Sequence, residues 1–269
     1  MNERLGGEVV DGAEQIRGLW ISARSLEETT RLLIEWVHRR DRTRYFACVN
    51  VHSAELVHRD PEFMSAVAQA DIRVADGIGL VMASWMSRGT VRSRVTGPDL
   101  FFSISRALSD LGGRSVFYLG GSDRTLERIR QKHLECFPNL RIAGTYSPPF
   151  ATRFHDEELA AMADRVNQAS PDVLWIGLGA PKQEKWALAN RDRLRVPVCG
   201  PIGAMFDYFA GNVPMPPKWV DRAGLQWAHR LATNPARVWR RSFDIPLFIG
   251  HVVRERLRRA CIKEGNGSQ

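Results

Sequence analysis

The sequence predicts an α/β fold: a mostly parallel sheet with helices packed on both faces, followed by a basic helical appendage. Three observations predict it. Short apolar runs bounded by glycine, proline or polar residues alternate with longer amphipathic stretches from Gly18 to about Phe209, the order of a chain that shuttles between strands and covering helices. Some runs, such as Val173-Leu174-Trp175-Ile176, are continuously apolar and too short for a helix, as strands buried on both faces are. The basic excess is confined to the end of the chain: residues 214–269 hold 11 Lys or Arg against 4 Asp or Glu, a net of +7, whereas the rest holds 27 against 26.

The elements follow in order. Residues 1–17 are expected to be poorly ordered, 18–213 to form the sheet domain, and 214–269 the appendage. Gly18–Ile21 reads as a first strand. Ser25 with Glu28 makes a capping box ahead of the amphipathic stretch LEETTRLLIEWVHRR, a helix start. Tyr45–Val51 is a strand with Asn50 near its carboxyl end. Ser53–His58 and the segment opened by Pro61 are helical, and Ile72–Ala75 is a short strand. It runs into Asp76-Gly77-Ile78-Gly79 and then the apolar helix LVMASWMS. Pro98–Leu111 is a helix, and Ser115–Leu119 a strand ending in Gly120-Gly121-Ser122 before a helix to about Cys136. Leu140–Ala143 is a strand and Asp156–Gln168 a helix. The strand at 173–176 leads through Gly177 and Gly179 to a helix with Pro181 as its first residue, where a missing N–H costs nothing. Pro197–Gly200 and Ala204–Phe209 complete the domain as a strand and a short helix. In the appendage, Asn234-Pro235 reads as an N-cap and first helical residue, and Pro246 opens a further helix. There Phe248, Ile249, Val252, Val253 and Leu257 are expected to share a face, with Arg254, Arg258 and Arg259 off it.

Composition excludes several classes. The four cysteines have no paired spacing, and the seven histidines form no HExxH-like cluster, which argues against a disulfide framework and a Cys- or His-rich metal site and suits a reducing cytoplasm. The N-terminus MNERLGGEVVDGAEQ lacks the apolar core of a secretory signal. No apolar run approaches the ~20 residues of a membrane span. A localised basic excess calls for an anionic partner, and three of the eight tryptophans, Trp219, Trp227 and Trp239, stand in the same appendage. A basic amphipathic helix with aromatics nearby fits a membrane surface.

In parallel α/β sheets ligands bind outside the carboxyl ends of the strands. Asn50, Asp76, Gly120, Gly121, Gly177 and Gly179 all fall at such ends, so they are expected to cluster. The strand–glycine–helix turn at 173–184 offers backbone N–H groups and a positive helix end to an anion, with Lys182, Gln183 and Glu184 beside it. Asp-Gly is a common turn dipeptide, but a carboxylate at position 76, on the ligand side, is placed to accept a proton from a hydroxyl nucleophile. Arg94 is placed either to stabilise negative charge or to pair on the surface.

VADGIG at 74–79, RVTGPDL at 94–100, GLGAPKQE at 177–184, GAMFDYFAG at 203–211 and PPKWVDRAGLQWAHRLATNPARVWRR at 216–241 occur in that order. Together they resemble the WecG/TagA/CpsF family of bacterial glycosyltransferases over roughly residues 45–241. The resemblance implies a Rossmann-like catalytic domain with a C-terminal appendage. It implies metal-independent, inverting transfer of a sugar from a UDP-sugar to a sugar on a polyprenyl (undecaprenyl) diphosphate, in bacterial surface polysaccharide synthesis. The protein would then be cytoplasmic and peripheral on the inner face of the membrane, with no cofactor, no metal and no nucleic-acid partner; self-association into a homo-oligomer is left open. The family's proposed base falls on Asp76, its asparagine on Asn50, its arginine on Arg94 and its glutamine on Gln183. Gly177, Gly179, Lys182 and Glu184 accompany Gln183 on the donor side. Arg230, Arg237 and Arg240 fall on the arginines thought to meet the diphosphate.

Two positions depart from the family pattern. Cys48 stands on the donor side where a threonine is usual, and a thiol is a weaker hydrogen-bonding group. Gln226 replaces the glutamate of GLEW. A non-catalytic UDP-sugar-binding subunit of the same fold is therefore the second reading. A dehydrogenase is disfavoured because the early glycine-bearing turns do not give GxGxxG, and a nucleic-acid module leaves the ordered motifs without a role.

Overall fold

The computed structural model describes residues 4–5, 8–9, 12–151, 154–217, 219–220 and 244–265. Two short hairpins come first: β1 (Arg4–Leu5) with β2 (Glu8–Val9), and β3 (Glu14–Ile16) with β4 (Leu19–Ile21), both antiparallel. Then follow α1 (Leu26–Arg39), β5 (Arg44–Val49), α2 (Val51–Leu56), α3 (Pro61–Ala68), β6 (Ile72–Ala75), α4 (Ile78–Met86), α5 (Gly97–Leu111), β7 (Arg114–Gly120), α6 (Asp123–Cys136), β8 (Leu140–Tyr146), α7 (Asp156–Ala169), β9 (Val173–Gly177), α8 (Lys182–Asn190), β10 (Val198–Pro201) and α9 (Met205–Phe209). A last helix, α10, spans Asp244–Gly265. Strands β5 to β10 form one six-stranded parallel sheet in the order β6-β5-β10-β9-β7-β8, the architecture that the alternating pattern predicts.

The sheet separates two cores, as strand periodicity requires. Along β9, Leu174 and Ile176 face one core while Val173 and Trp175 face the other; Tyr45, Ala47 and Val49 of β5 alternate with Phe46 in the same way. The first core is closed by side chains of α2, α3, α4, α7, α8 and α10, the second by α1, α5, α6 and α9. Phe101 of α5 is the hub of the second core. Its ring lies 4.8 Å from that of Phe209, 5.3 Å from Trp175 and 6.0 Å from Phe137, in edge-on geometry, the arrangement aromatic quadrupoles favour.

Local chemistry sets the helix starts. Ser25 accepts from the Glu28 N–H while the Glu28 carboxylate accepts from the Ser25 N–H, at 3.2 and 2.8 Å, and Thr96 with Asp99 repeats the box at α5. Asp60 caps α3 with Pro61 as its first residue.

The structure differs from the sequence expectation in three places. Within residues 1–17, expected to be loose, residues 4–5, 8–9 and 14–16 form β1, β2 and β3; the second hairpin, β3–β4, is packed onto the sheet domain. The hairpin is held because the buried Arg73 guanidinium donates to the carbonyls of Trp20, Ala68 and Ala70 at 2.6–2.7 Å. Pro181 is not the first helical residue but the residue before α8. In α10, Phe248 and Val252 are buried whereas Ile249 and Val253 are exposed, so these four residues, expected to share one face, are divided between the core and solvent. The helix itself is docked by charge. Buried Asp244 lies 2.6 Å from both His52 Nδ1 and Arg59 Nη2, and buried Glu55 of α2 meets Arg17 at 2.9 Å and His251 of α10 at 3.2 Å. Burial raises the Asp244 pKa, but His52 and Arg59 outweigh it and hold the carboxyl below its ordinary value. Among the described residues, no helix is long and apolar enough to cross a membrane.

Removing the hub ring should be costly. Phe101→Ala is expected to lower unfolding free energy by about 3–5 kcal/mol, the usual range for a buried phenylalanine, whereas Phe101→Leu should cost much less. Denaturant titration of the two variants measures this, and near-equal midpoints would show that Phe101 is not the hub.

Candidate active site

Because the six strands are parallel, their carboxyl ends share one edge, and the loops leaving that edge build the site. β5 ends at Val49, and Asn50 caps α2: its Oδ1 accepts from the Ser53 N–H and hydroxyl, both at 3.0 Å. The amide nitrogen of Asn50 takes no part in that cap, so the cap orients the side chain and leaves a donor for a ligand. β6 ends at Ala75. The Asp76 N–H donates to the Val49 carbonyl at 2.7 Å, and the Val95 N–H donates to the Ala75 carbonyl at 2.9 Å. These two bonds extend the sheet edge by one residue on each side and bring the chain at Arg94 alongside Asp76. Both side chains are half-buried and both are partnered.

Cys48 is the centre of the arrangement. It is the next-to-last residue of β5, and its thiol is pushed well above its ordinary pKa by burial and by the negative charges of Asp76, Glu184 and Asp99. The charges of these three carboxylates, from three different loops, thus act on one thiol and keep it protonated. The Cys48 sulfur lies 3.8 Å from the space a Cβ at Gly97 would fill, so the amino end of α5 is also packed here. Asp99 is a site-lining residue that the sequence reading passed over. Its signal was the Thr96-x-x-Asp99 capping box, which reads as structural until the fold sets it beside Cys48. From Thr96 and Asp99 a cleft of ≈570 Å³ opens along α5, lined also by Phe102, Arg106, Tyr208 and Met215.

The PKQE turn is folded in on itself. Gln183 and Glu184 are both buried. The Gln183 Nε2 donates to Glu184 Oε1 at 2.8 Å, and its Oε1 accepts from the Gly179 N–H at 3.2 Å. Glu184 therefore decides which end of the Gln183 amide is donor and which is acceptor. The Lys182 ammonium donates to the Ala151 carbonyl at 2.8 Å and lies 5.2 Å from the Phe150 ring, so it ties down the loop after β8. The glycines do different work from that expected of a phosphate loop. A Cβ on Gly177 would sit 2.4 Å from the Phe206 ring, and one on Gly120 would sit 2.6 Å from the Gly177 carbonyl carbon. Both are glycine because neighbouring loops need the space. Gly179, with φ +78°, has open space around its missing side chain. Among the described residues, no group of three or more His, Cys, Asp or Glu side chains is arranged to hold a metal ion. Arg230, Arg237 and Arg240, with Trp227, Trp239 and Gln226, lie outside the described residues.

Fold and site thus define an open parallel α/β protein whose crevice, outside the strand ends, carries a half-buried carboxylate, amides and an arginine. The chain belongs to the glycosyl transferase WecG/TagA/CpsF family, whose profile matches residues 14–261. Among curated proteins it is similar to enzymes named N-acetylglucosaminyldiphosphoundecaprenol N-acetyl-beta-D-mannosaminyltransferase. It is 32% identical to one from Bacillus spizizenii over 196 residues, 73% of either chain. It is 30% identical to one from Bacillus subtilis over 207 residues, 77% of this chain and 78% of that one. It is 24% identical to one from Staphylococcus aureus over 215 residues, 76% and 82% of the two chains.

Burial raises the Glu184 carboxyl to about 7, the Gln183 hydrogen bond lowering it only in part. An acid whose folded pKa is raised holds its proton in the fold after the unfolded chain has lost it. Its contribution to stability is therefore complete below about pH 4.5 and is lost as pH rises through about 7. Glu184→Gln should abolish that fall, which has a slope of up to about 1.4 kcal/mol per pH unit. Unfolding free energies of both proteins between pH 4 and 8 test this; parallel profiles would mean that Glu184 is ionised throughout.

Proposed function

We propose that this protein transfers a sugar, with inversion and without a metal ion, from a UDP-sugar to a sugar carried on a polyprenyl diphosphate. The work would be done at the inner face of the bacterial cytoplasmic membrane during surface polysaccharide synthesis. The observation that carries the reading is the gathering of Asp76, Asn50 and Arg94 at one sheet edge, in a chain whose relatives are named for N-acetylmannosaminyl transfer to a lipid-linked N-acetylglucosamine. On that analogy the acceptor is N-acetylglucosaminyl-diphosphoundecaprenol and the donor UDP-N-acetylmannosamine.

The chemistry requires one base and one sink for negative charge. The Asp76 carboxylate takes the proton of the attacking acceptor hydroxyl as its oxygen bonds to the anomeric carbon. On the opposite face of the sugar, the bond from that carbon to the β-phosphate oxygen breaks and UDP departs with the electron pair. The attack from behind inverts the anomeric centre. Arg94 stabilises the leaving diphosphate, and Arg230, Arg237 and Arg240 act on the acceptor diphosphate, each through charge-assisted hydrogen bonds. Gln183, held by Glu184, and the amide nitrogen of Asn50 orient the donor. Cys48, protonated amid three carboxylates, offers a weak donor where threonine would offer a strong one.

Mass spectrometry of the product formed from a short-chain polyprenyl-diphosphate-N-acetylglucosamine and mixed UDP-sugars tests the reading. A lipid product one N-acetylhexosamine heavier is expected, and release of UDP with no glycosylated lipid would sink it. Asp76→Asn should keep UDP binding while turnover falls by roughly 10²- to 10⁴-fold, the usual worth of a general base; turnover near that of the parent would remove Asp76 from the mechanism. Activity should also survive excess EDTA, and a loss restored by magnesium or manganese would contradict metal independence.

A further inference from the structure

Helix α4 begins two residues after Asp76 and has the wrong surface for water. Its buried face is Leu80, Ala83 and Ser84. On the other side Ile78, Met82 and Trp85 are 39%, 53% and 72% exposed; their spacing of four and three places them in one stripe along the helix. Arg88 is exposed just past the carboxyl end of the helix, whereas Arg92 turns its guanidinium to Ser84 Oγ on the buried side, where Glu14 also binds. α10 packs against both α2 and α4. It adds Ile249 and Val253, which are 49% and 39% exposed, with exposed Arg256 three residues on in the same stripe.

An exposed apolar stripe on a helix, with a second beside it, marks an interaction site, and the charges around it choose the partner. In a symmetric dimer the same patch meets itself, which brings its arginines near those of the second copy. An anionic bilayer accepts both components: the apolar side chains enter the headgroup–acyl boundary, the tryptophan sits at the interface, and the arginines meet lipid phosphates.

We propose that α4 and α10 together form a membrane-docking face, with Ile78, Met82 and Trp85 inserted into an anionic leaflet and Arg88 and Arg256 bound to its headgroups. The inference rests on the reading that the acceptor is a lipid diphosphate, and it gives that reading a geometry. The amino end of α4 adjoins Asp76, so docking this face brings the base to the headgroup layer, where an acceptor diphosphate lies. The C-terminal arginines are then a second contact with the lipid rather than the sole one.

The test uses the full-length chain and the double variant Met82→Glu/Trp85→Glu, whose side chains are exposed and outside the catalytic machinery. Binding to phosphatidylcholine vesicles, with and without phosphatidylglycerol, is measured by co-sedimentation. The parent protein should bind the anionic vesicles more tightly than the neutral ones, and the variant should lose at least about tenfold of that binding, as expected when two apolar side chains no longer enter lipid. Transfer to a long-chain acceptor in vesicles should fall in parallel, while transfer to a short-chain, water-soluble acceptor is unchanged. Vesicle binding equal in parent and variant overturns the proposal, as does a parent with no preference for the anionic lipid. A dimer that the variant turns into monomer without change in vesicle binding would identify a second copy as the occupant and overturn it too. Absence of transfer by the parent to either acceptor would count against the glycosyltransferase reading alone, since the binding measurement stands without it.

Discussion

Cys199 in β10 is registered against Tyr45 of β5 on one side and Leu174 of β9 on the other. All three strands run the same way, so this register fixes which residues leave the sheet together: Asn50 after β5, the Ile202–Gly203 turn after β10 and Gly177 after β9. The turns are tied to the ladder, with Ile202 and Gly203 both donating to the Ile176 carbonyl. A Cβ on Gly203 would lie 3.1 Å from the Gln183 amide oxygen, so the turn after β10 presses on the residue that the turn after β9 presents. A slip of one residue in this ladder would exchange the two faces of a strand and send Cys48 into the opposite core.

The same geometry explains why the interior of the site is acidic. Parallel strand ends point backbone carbonyls and loop side chains into one crevice, and here Asp76, Asp99 and Glu184 converge on Cys48. Glu184 has an oxygen with no hydrogen-bond partner, and its burial is compensated by a raised pKa rather than by a cation. Positive charge for a diphosphate therefore enters from the rim, through Arg94 and the basic appendage. The appendage is fastened to that rim by the opposite device: Asp244 and Glu55 are buried carboxylates matched with Arg59, His52, Arg17 and His251. Breaking such a pair leaves a buried charge unpaired, which costs far more than an exposed pair contributes.

Much of this was legible along the chain. The apolar runs, the capping box at Ser25 and the glycine turns locate nearly every strand and helix, since each depends on residues within a few positions. What was not legible depended on partners distant in sequence. Gly177 reads as a close approach to a ligand, yet Phe206 fills its space. Lys182 reads as an anion contact, and the structure adds a bond from its ammonium to the Ala151 carbonyl. The hairpin at 14–21 has little local signal, because what orders it is Arg73, more than fifty positions away, and the cradle that Glu14 makes for the N–H groups of Thr90 and Val91. Asp99, passed over along the chain, completes the cap of α5, and its charge also acts on Cys48.

The sequence by itself determined the fold class, the order of its elements and the motif residues at positions 50, 76, 94 and 183, because periodicity, caps and turn chemistry are short-range properties. Only the tertiary structure decided which loops meet. It buried Glu184 under Gln183, brought the charges of three carboxylates to act on Cys48, divided the apolar residues of α10 between core and solvent, and left the stripe of α4 exposed beside Asp76. Those outcomes follow from strand order and register, which depend on the summed burial of two cores and are written in no single segment of the chain.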